Sequence, residues 1–281
     1  MPTVDLPQGR VSYRAAGPPD SALPPVVFVH GIMVNGELWT GVADALAARG
    51  IRSYAPDLPL GAHPVPLRAD ADVTPRGVAK LLLAFLDALG LSDVTLVGND
   101  TGGALCQFLL DTDASRVGRL VLTNCDAFDQ FPPPPFGLLV KLASSPFRLW
   151  LTGQGTRLTA VRHSALGFGP LVTKPLDAAL TRRWAMPLLT DAGVRRDTAR
   201  FMRAMRPADL LDVSTRLHAF DRPVLLLWGA ADRFFTMPLA RRLADAFPHA
   251  RLVPIDGRRT FIPLDEPERL ASEISAFLVP A

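Results

Sequence analysis

The sequence contains only two cysteines, Cys106 and Cys125, so it cannot build the disulfide framework that is typical of small secreted domains. It also has no uninterrupted apolar run of the roughly 20 residues that a membrane-spanning helix needs. No basic segment with an apolar core follows Met1, as it would in a secretory signal peptide. These absences predict a cytoplasmic protein with no membrane partner.

An excess of charge of one sign is missing as well, since 30 Lys and Arg residues face 27 Asp and Glu residues. The basic residues do not suggest a single binding face, which argues against a nucleic-acid partner. The sequence has no His, Cys and carboxylate cluster at metal-ligand spacing and no glycine-rich phosphate loop. We therefore expect a small-molecule substrate and no metal or cofactor, while the oligomeric state stays open.

Short apolar runs alternate with segments of helical periodicity, which indicates a parallel sheet with helices on both faces. The alternation stops between residues 131 and 216, where four consecutive prolines open a segment with helical spacing and no strand. We expect residues 1–130 and 217–281 to form one α/β core, and residues 131–216 to form a helical cap inserted into it. The expected strands are 26–29, 53–56, 94–97, 120–123, 224–228 and 251–255, with a hairpin at 4–15, and the expected helices are 39–49, 73–90, 102–111, 238–247 and 267–278.

The strongest local signal is Gly98-Asn-Asp100-Thr-Gly102, at the junction of an expected strand and an expected helix. The pattern Gly-x-Asp-x-Gly is that of a nucleophile elbow, with Asp where Ser is commoner. Small neighbours permit the strained backbone at the tip, and the dipole of the following helix favours an ionised carboxylate. The pattern predicts that Asp100 is a nucleophile, and an Asp that only caps the helix is the alternative.

Four further motifs follow in order along the chain, and together with the elbow they resemble one superfamily. The resemblance is to α/β-hydrolase fold proteins, most of all to the branch of haloalkane dehalogenases and epoxide hydrolases that uses an Asp nucleophile. It covers residues 24–278, and it implies a mostly parallel sheet of eight strands with a helical cap at 131–216. The four motifs are His30-Gly31 with Trp39, Pro56-Asp-Leu-Pro59, Trp228-Gly-Ala-Ala-Asp232 and Phe261-Ile-Pro-Leu-Asp-Glu-Pro267.

In that branch an Asp attacks a carbon and forms an alkyl ester, which a water activated by a His then hydrolyses. The resemblance implies that Asp100 is the nucleophile, and that the amide N–H groups of Ile32 and Thr101 form the oxyanion hole. It also implies that Asp232 is the acid that orients the base. Asp126, directly after another strand, stands at the alternative position for this acid.

The position where the family has its catalytic His is occupied by Thr260, and a hydroxyl cannot act as a general base near neutral pH. His63, after a strand at the catalytic edge, is the best candidate for a substitute base, and a solvated loop His is the alternative. Ile32 and Thr101 also stand where dehalogenases hold the leaving halide with Asn and Trp, so the usual halide site is absent.

The sequence therefore predicts a cofactor-free hydrolase that acts on a small apolar substrate through Asp100. Two alternatives belong to other classes. One is a lyase or isomerase in which Asp100 is a general base, and the other is a catalytically inactive protein that binds a ligand.

Overall fold

An eight-stranded sheet forms the centre of the molecule, in a computed structural model that describes residues 1–134 and 136–278. The strands are β1 (Thr3–Leu6), β2 (Gly9–Ala16), β3 (Val26–Val29), β4 (Ser53–Pro56), β5 (Val94–Asp100), β6 (Val117–Cys125), β7 (Val224–Gly229) and β8 (Ala250–Ile255). Their order across the sheet is β1-β2-β4-β3-β5-β6-β7-β8. The pairs of β2 with β1 and β4 are antiparallel, and the other pairs are parallel. The predicted mostly parallel sheet of eight strands is confirmed.

The helices of the described residues either pack on the two faces of this sheet or lie in the segment between β6 and β7. They are α1 (Thr40–Ala47), α2 (Pro75–Ala88), α3 (Thr101–Thr112), α4 (Phe136–Ala143), α5 (Pro146–Gly153), α6 (Thr159–His163), α7 (Ala178–Thr190), α8 (Ala192–Ala204), α9 (Pro207–Ser214), α10 (Met237–Asp245), α11 (Ile262–Asp265) and α12 (Pro267–Leu278). Side chains of α2, α3 and α10 join one hydrophobic core, and those of α1 and α12 join another. Within the described ranges, no helix combines the length and the apolar character that crossing a bilayer requires.

The burial of the interior strands explains their composition. Every side chain of β3, Val-Val-Phe-Val, is buried, and so is every residue of β7, Val-Leu-Leu-Leu-Trp-Gly. Burying one Val, Leu or Phe side chain contributes about 1.5–3 kcal/mol relative to leaving it exposed. Because helices cover both faces, these strands lack the alternation of polar and apolar residues that a half-exposed strand shows.

Between β6 and β7 the chain forms α4 to α9, which we call the insertion helices. Leu149 of α5 packs with Ala199 and Met202 of α8 in a small hydrophobic cluster. Ile32 and Met33, in the loop after β3, pack against the same cluster. The insertion helices therefore lie directly against one of the loops at the carboxyl end of the parallel strands. In open α/β sheets, ligand-binding sites lie at this end.

Candidate active site

Asp100 lies at a sharp turn between β5 and α3, with a partly exposed side chain. Its backbone φ is +54°, which is a strained conformation for a residue with a side chain and is typical of functional turns. The turn packs closely on the neighbouring strand, because a Cβ on Gly102 would collide with the carbonyl oxygen of Val29. The amino end of α3 follows directly, so its dipole favours the charged form of this carboxyl.

The backbone amides of Ile32 and Thr101 lie beside the Asp100 carboxylate, and their N–H groups lower its pKa. Ile32 lies in the loop after β3, and Thr101 is the first residue of α3, so the two donors come from segments after neighbouring parallel strands. Gly31 makes the close approach possible, since a Cβ there would overlap the Oδ2 atom of Asp100. Three of the predicted site residues therefore lie together: Asp100 itself, and Ile32 and Thr101, whose amides border its carboxylate.

Thr260 and Asp232 form a second part of the site, and both side chains are buried. Asp232 follows β7, and Thr260 lies in the loop after β8. The Thr260 hydroxyl donates to Asp232 Oδ2 at 2.7 Å, while the amides of Phe234 and Phe235 donate to Oδ1 at 2.8 and 3.1 Å. Asp232 therefore orients a hydroxyl at the position where the resemblance would place an imidazole.

Two asparagines hold this arrangement, and the sequence analysis missed Asn124. Its Nδ2 donates to Asp232 Oδ2 at 2.9 Å, and its Oδ1 accepts a hydrogen bond from the amide of Gly229 at 2.6 Å. Asn99 Nδ2 donates to the carbonyl oxygen of Thr260 at 2.7 Å. A signal was available, because a polar side chain near the end of an otherwise apolar buried strand needs a hydrogen-bond partner.

The loop that carries Thr260 is attached to segment 171–174, which lies between α6 and α7. The amide of Phe261 donates to the carbonyl oxygen of Leu171 at 2.8 Å. The buried carboxylate of Asp265 accepts hydrogen bonds from the amides of Thr173 and Lys174 at 2.8 and 3.0 Å. Hydrogen bonds to an ionised acceptor are among the stronger ones, so they fix the position of residue 260.

Asp126, the alternative acid, lies in a different environment. It is buried directly after β6, and its amide donates to the carbonyl oxygen of Asp100 at 3.3 Å. Burial raises the pKa of Asp126 well above its usual range, and the charge of Asp100 adds to this. Among the described residues, no side chain or amide hydrogen bonds to its carboxyl oxygens with good geometry. The Thr260 hydroxyl contacts Asp232 and not Asp126, which favours Asp232 as the acid of the site.

His63, the candidate substitute base, is buried, so the alternative of a solvated loop residue is wrong. Its Nε2 atom lies 3.6 Å from Asp197 Oδ2 on α8, and its Nδ1 atom accepts from the amide of Gly61 at 3.4 Å. Asp197 also accepts a hydrogen bond from the amide of Leu67 at 2.8 Å. These contacts join the loop after β4 to the insertion helices, and none of them involves Asp100.

His30 has a structural role in the loop after β3. Its Nε2 accepts from the amide of Leu58 at 2.8 Å, which leaves Nδ1 to donate to the carbonyl oxygen of Gly31 at 2.8 Å. Burial lowers the pKa of His30 to about 3, so the ring is neutral. The ring therefore holds the loop that presents Ile32 to Asp100.

The carboxylates of the site have raised pKa values because the protein around them displaces much of the water. Burial raises the pKa of Asp100 to about 7, the amides of Thr101 and Ile32 act in the opposite direction, and the charge of Asp232 raises it further. Burial also raises the pKa of Asp232, against the hydrogen bonds that it accepts. In residues 1–134 and 136–278, no group of three His, Cys, Asp or Glu side chains is arranged to hold a metal ion.

A family model described as alpha/beta hydrolase fold matches residues 24–267 of this sequence. The chain belongs to the α/β-hydrolase fold family. Two curated proteins are similar to it along almost their whole length. Cis-3-alkyl-4-alkyloxetan-2-one decarboxylase of Xanthomonas campestris pv. campestris is 30% identical over 283 residues, covering 95% of this chain and 92% of the relative. Haloalkane dehalogenase 2 of Mycobacterium bovis is 26% identical over 279 residues, covering 96% and 92%.

Solved structures of other α/β-hydrolases have the same fold. Haloalkane dehalogenase DbeA of Bradyrhizobium elkani superimposes with a TM-score of 0.80 at 20% identity, covering 98% of this chain and 96% of that chain. An α/β-hydrolase fold protein of Burkholderia ambifaria superimposes with a TM-score of 0.79 at 24% identity, covering 97% and 96%. At this identity the likeness concerns the fold alone.

Proposed function

We propose that this α/β-hydrolase is an enzyme in which the Asp100 carboxylate attacks a carbon of a small, largely apolar substrate. The observation that carries the proposal is the strained, partly exposed Asp100, whose carboxylate lies against Gly31 and beside the amides of Ile32 and Thr101. A carboxylate that serves only to cap a helix needs neither the strained turn nor a donor from a different loop. The arrangement is that of a nucleophile held in one orientation.

In the first step, one Asp100 oxygen forms a bond to carbon while the bond from that carbon to its leaving group breaks. The leaving group departs with the electron pair, and the enzyme keeps the substrate as an ester. The other oxygen becomes the ester carbonyl oxygen and stays close to the Ile32 and Thr101 amides, which are positioned to stabilise charge there. This step requires nothing of Asp232 or Thr260.

Apolar side chains around Ile32 support a substrate of low polarity. The small hydrophobic cluster next to Ile32 includes Leu149 and Met202, and Met33 packs against the same cluster. Met side chains adapt to irregular apolar shapes, and sites for small molecules are mostly lined by apolar groups. A small hydrocarbon chain next to the attacked carbon therefore fits this part of the molecule better than a charged group.

The fate of the ester favours a lyase as a second candidate function. Hydrolysis of the ester needs an activated water, and Thr260 offers a hydroxyl that is already committed to Asp232. The relative from Xanthomonas campestris has the name of an oxetan-2-one decarboxylase. If Asp100 opened such a ring at the carbon bonded to the ring oxygen, the product would carry a free carboxylate on the neighbouring carbon. Loss of CO2 would then form the carbon–carbon double bond and expel Asp100, without any water.

The experiment that tests the nucleophile is intact-mass spectrometry of the purified protein. The protein is incubated separately with an alkyl bromide, an alkyl epoxide and a cis-dialkyl oxetan-2-one. We expect a covalent adduct on the peptide that contains Asp100 with at least one of them, and alkene release with the oxetan-2-one supports the lyase route. Turnover without an adduct would instead make Asp100 a general base, and binding with neither adduct nor turnover would indicate a non-catalytic protein.

The pH dependence of adduct formation is a separate prediction. Only the ionised carboxylate is nucleophilic, and burial raises the pKa of Asp100 to about 7. The rate should therefore rise as the pH is raised through about 7 and level off about one unit above it. The measurement is the initial rate of mass-shifted protein at a series of pH values. A rate that already levels off at about pH 5, as expected for an exposed Asp with a pKa of about 4, would contradict the burial argument.

A further inference from the structure

The insertion helices carry an apolar face that stays exposed in the described structure. On α5, the side chains of Phe147, Trp150 and Leu151 are 68%, 38% and 55% exposed, and their spacing places them on one side of the helix. The rings of Phe147 and Trp150 stack with their centroids 6.2 Å apart. Leu138, on the adjacent helix α4, is 68% exposed. We call these four residues the apolar patch.

Only the side of α5 opposite the apolar patch packs against the rest of the protein. Leu149 is buried on that side and packs with Met202 of α8, and Ile32 lies against the same cluster. A helix that packs on one face usually has polar residues on the other. A stacked pair of exposed aromatic residues with two exposed leucines marks an interaction surface.

The stretch of sequence that carries the apolar patch contains basic residues but no acidic ones. From residue 130 to residue 176 the sequence has five Lys and Arg residues and no Asp or Glu. Two of these five side chains are not available to bind a partner, because Arg162 is buried and Lys174 forms an ion pair with Glu266. The other three are exposed, and within the described residues none of them has an ion-pair partner: Lys141, Arg148 and Arg157.

We propose that the apolar patch and these three cations form a docking surface for an anionic lipid bilayer. Helices with Trp, Phe and Leu on one side and Lys or Arg beside them lie in the interface of a bilayer, where anionic headgroups attract the cations. The predicted absence of a membrane partner rested on the lack of a spanning segment, which surface docking does not require. The inference is independent of the reaction at Asp100.

A second copy of this chain is a less suitable occupant of the same surface. In a symmetric dimer the patch would meet itself, so Lys141 and Arg148 of each copy would face the cations of the other. The segment has no acidic residue to pair with them, and like charges across an interface are costly. In an anionic bilayer, by contrast, the headgroups can pair with the cations, and the hydrocarbon below them can receive the apolar side chains.

Tryptophan fluorescence tests the docking with good selectivity, because Trp39, Trp184 and Trp228 are buried and Trp150 is not. The full-length protein is mixed with vesicles of phosphatidylcholine and phosphatidylglycerol, and separately with phosphatidylcholine alone. We expect the anionic vesicles to shift the emission to shorter wavelength and to quench it when brominated lipid is present. Trp150→Phe should remove the fluorescence response while vesicle flotation still detects binding.

Charge variants provide the matched comparison. Lys141→Glu with Arg148→Glu should lower the affinity for anionic vesicles by about tenfold or more. Lys80→Glu with Arg241→Glu makes the same change in net charge at exposed sites on α2 and α10, and should leave the affinity unchanged. The proposal is overturned if anionic vesicles do not bind, or if both double variants behave alike. It is also overturned if the lipid-free protein dimerises and Phe147→Ser abolishes that dimer.

Discussion

Replacing Asp100 with asparagine should reduce covalent adduct formation by at least about a thousandfold, which is the scale of loss when a nucleophile is removed. The amide of asparagine fills almost the same space but carries no charge and is a very weak nucleophile. The measurement is the rate of the mass shift with whichever substrate modifies the natural protein. An adduct that forms at the natural rate in Asp100→Asn would remove Asp100 from the mechanism.

Two controls separate lost chemistry from lost folding. Since burial raises the pKa of Asp100, the folded protein holds a proton that the unfolded chain releases between about pH 4 and pH 7, and stability falls over that range. Asp100→Asn removes this loss, so its thermal midpoint at pH 8 should be higher than that of the natural protein. Asp126→Asn changes the neighbouring buried carboxyl and should still form the adduct.

The sequence was sufficient to predict the architecture, because most of its parallel strands contain a run of consecutive apolar residues and are followed by a helical segment. It was also sufficient to predict that Asp100 stands at a turn, since only small residues fit around such a tip. Asp232 and Asp126 both follow parallel strands, so local pattern alone could not separate them. The choice depends on which carboxylate the loop of Thr260 reaches, and the structure gives the hydroxyl to Asp232.

The residues that sequence reasoning misjudged depend on partners far along the chain. His63 stands in a Pro- and Gly-rich loop, which predicts exposure, but Asp197 of α8 packs beside it and buries it. The polar side chain of Asn124 near a strand end signals the need for a hydrogen-bond partner, but only tertiary packing identifies the partners as the amide of Gly229 and the carboxylate of Asp232. Such contacts follow from tertiary packing, and no periodicity in the sequence encodes them.

Replacing Thr260 with histidine should give the site the general base that it lacks. The hydroxyl of Thr260 donates to Asp232 Oδ2, so an imidazole at the same position has an acceptor ready to orient its Nδ1–H. Its Nε2 would then face the ester on Asp100 and activate a water. General-base catalysis contributes about 10²- to 10⁴-fold, and we expect ester hydrolysis to accelerate by that order. The measurement is the decay of the adduct after excess substrate is removed, with Thr260→Ser as the matched control.

With an oxetan-2-one as substrate, the same variant separates the two proposed fates of the ester. If the natural protein releases the alkene by loss of CO2, then Thr260→His should divert part of the ester to hydrolysis and yield the β-hydroxy acid. In heavy-oxygen water the label should enter Asp100 itself, because water attacks the carbonyl carbon of the enzyme ester. Since Thr260 is fully buried, circular dichroism must first establish that the larger ring is tolerated. A folded Thr260→His protein whose adduct decays no faster than that of Thr260→Ser would contradict the role assigned to Asp232.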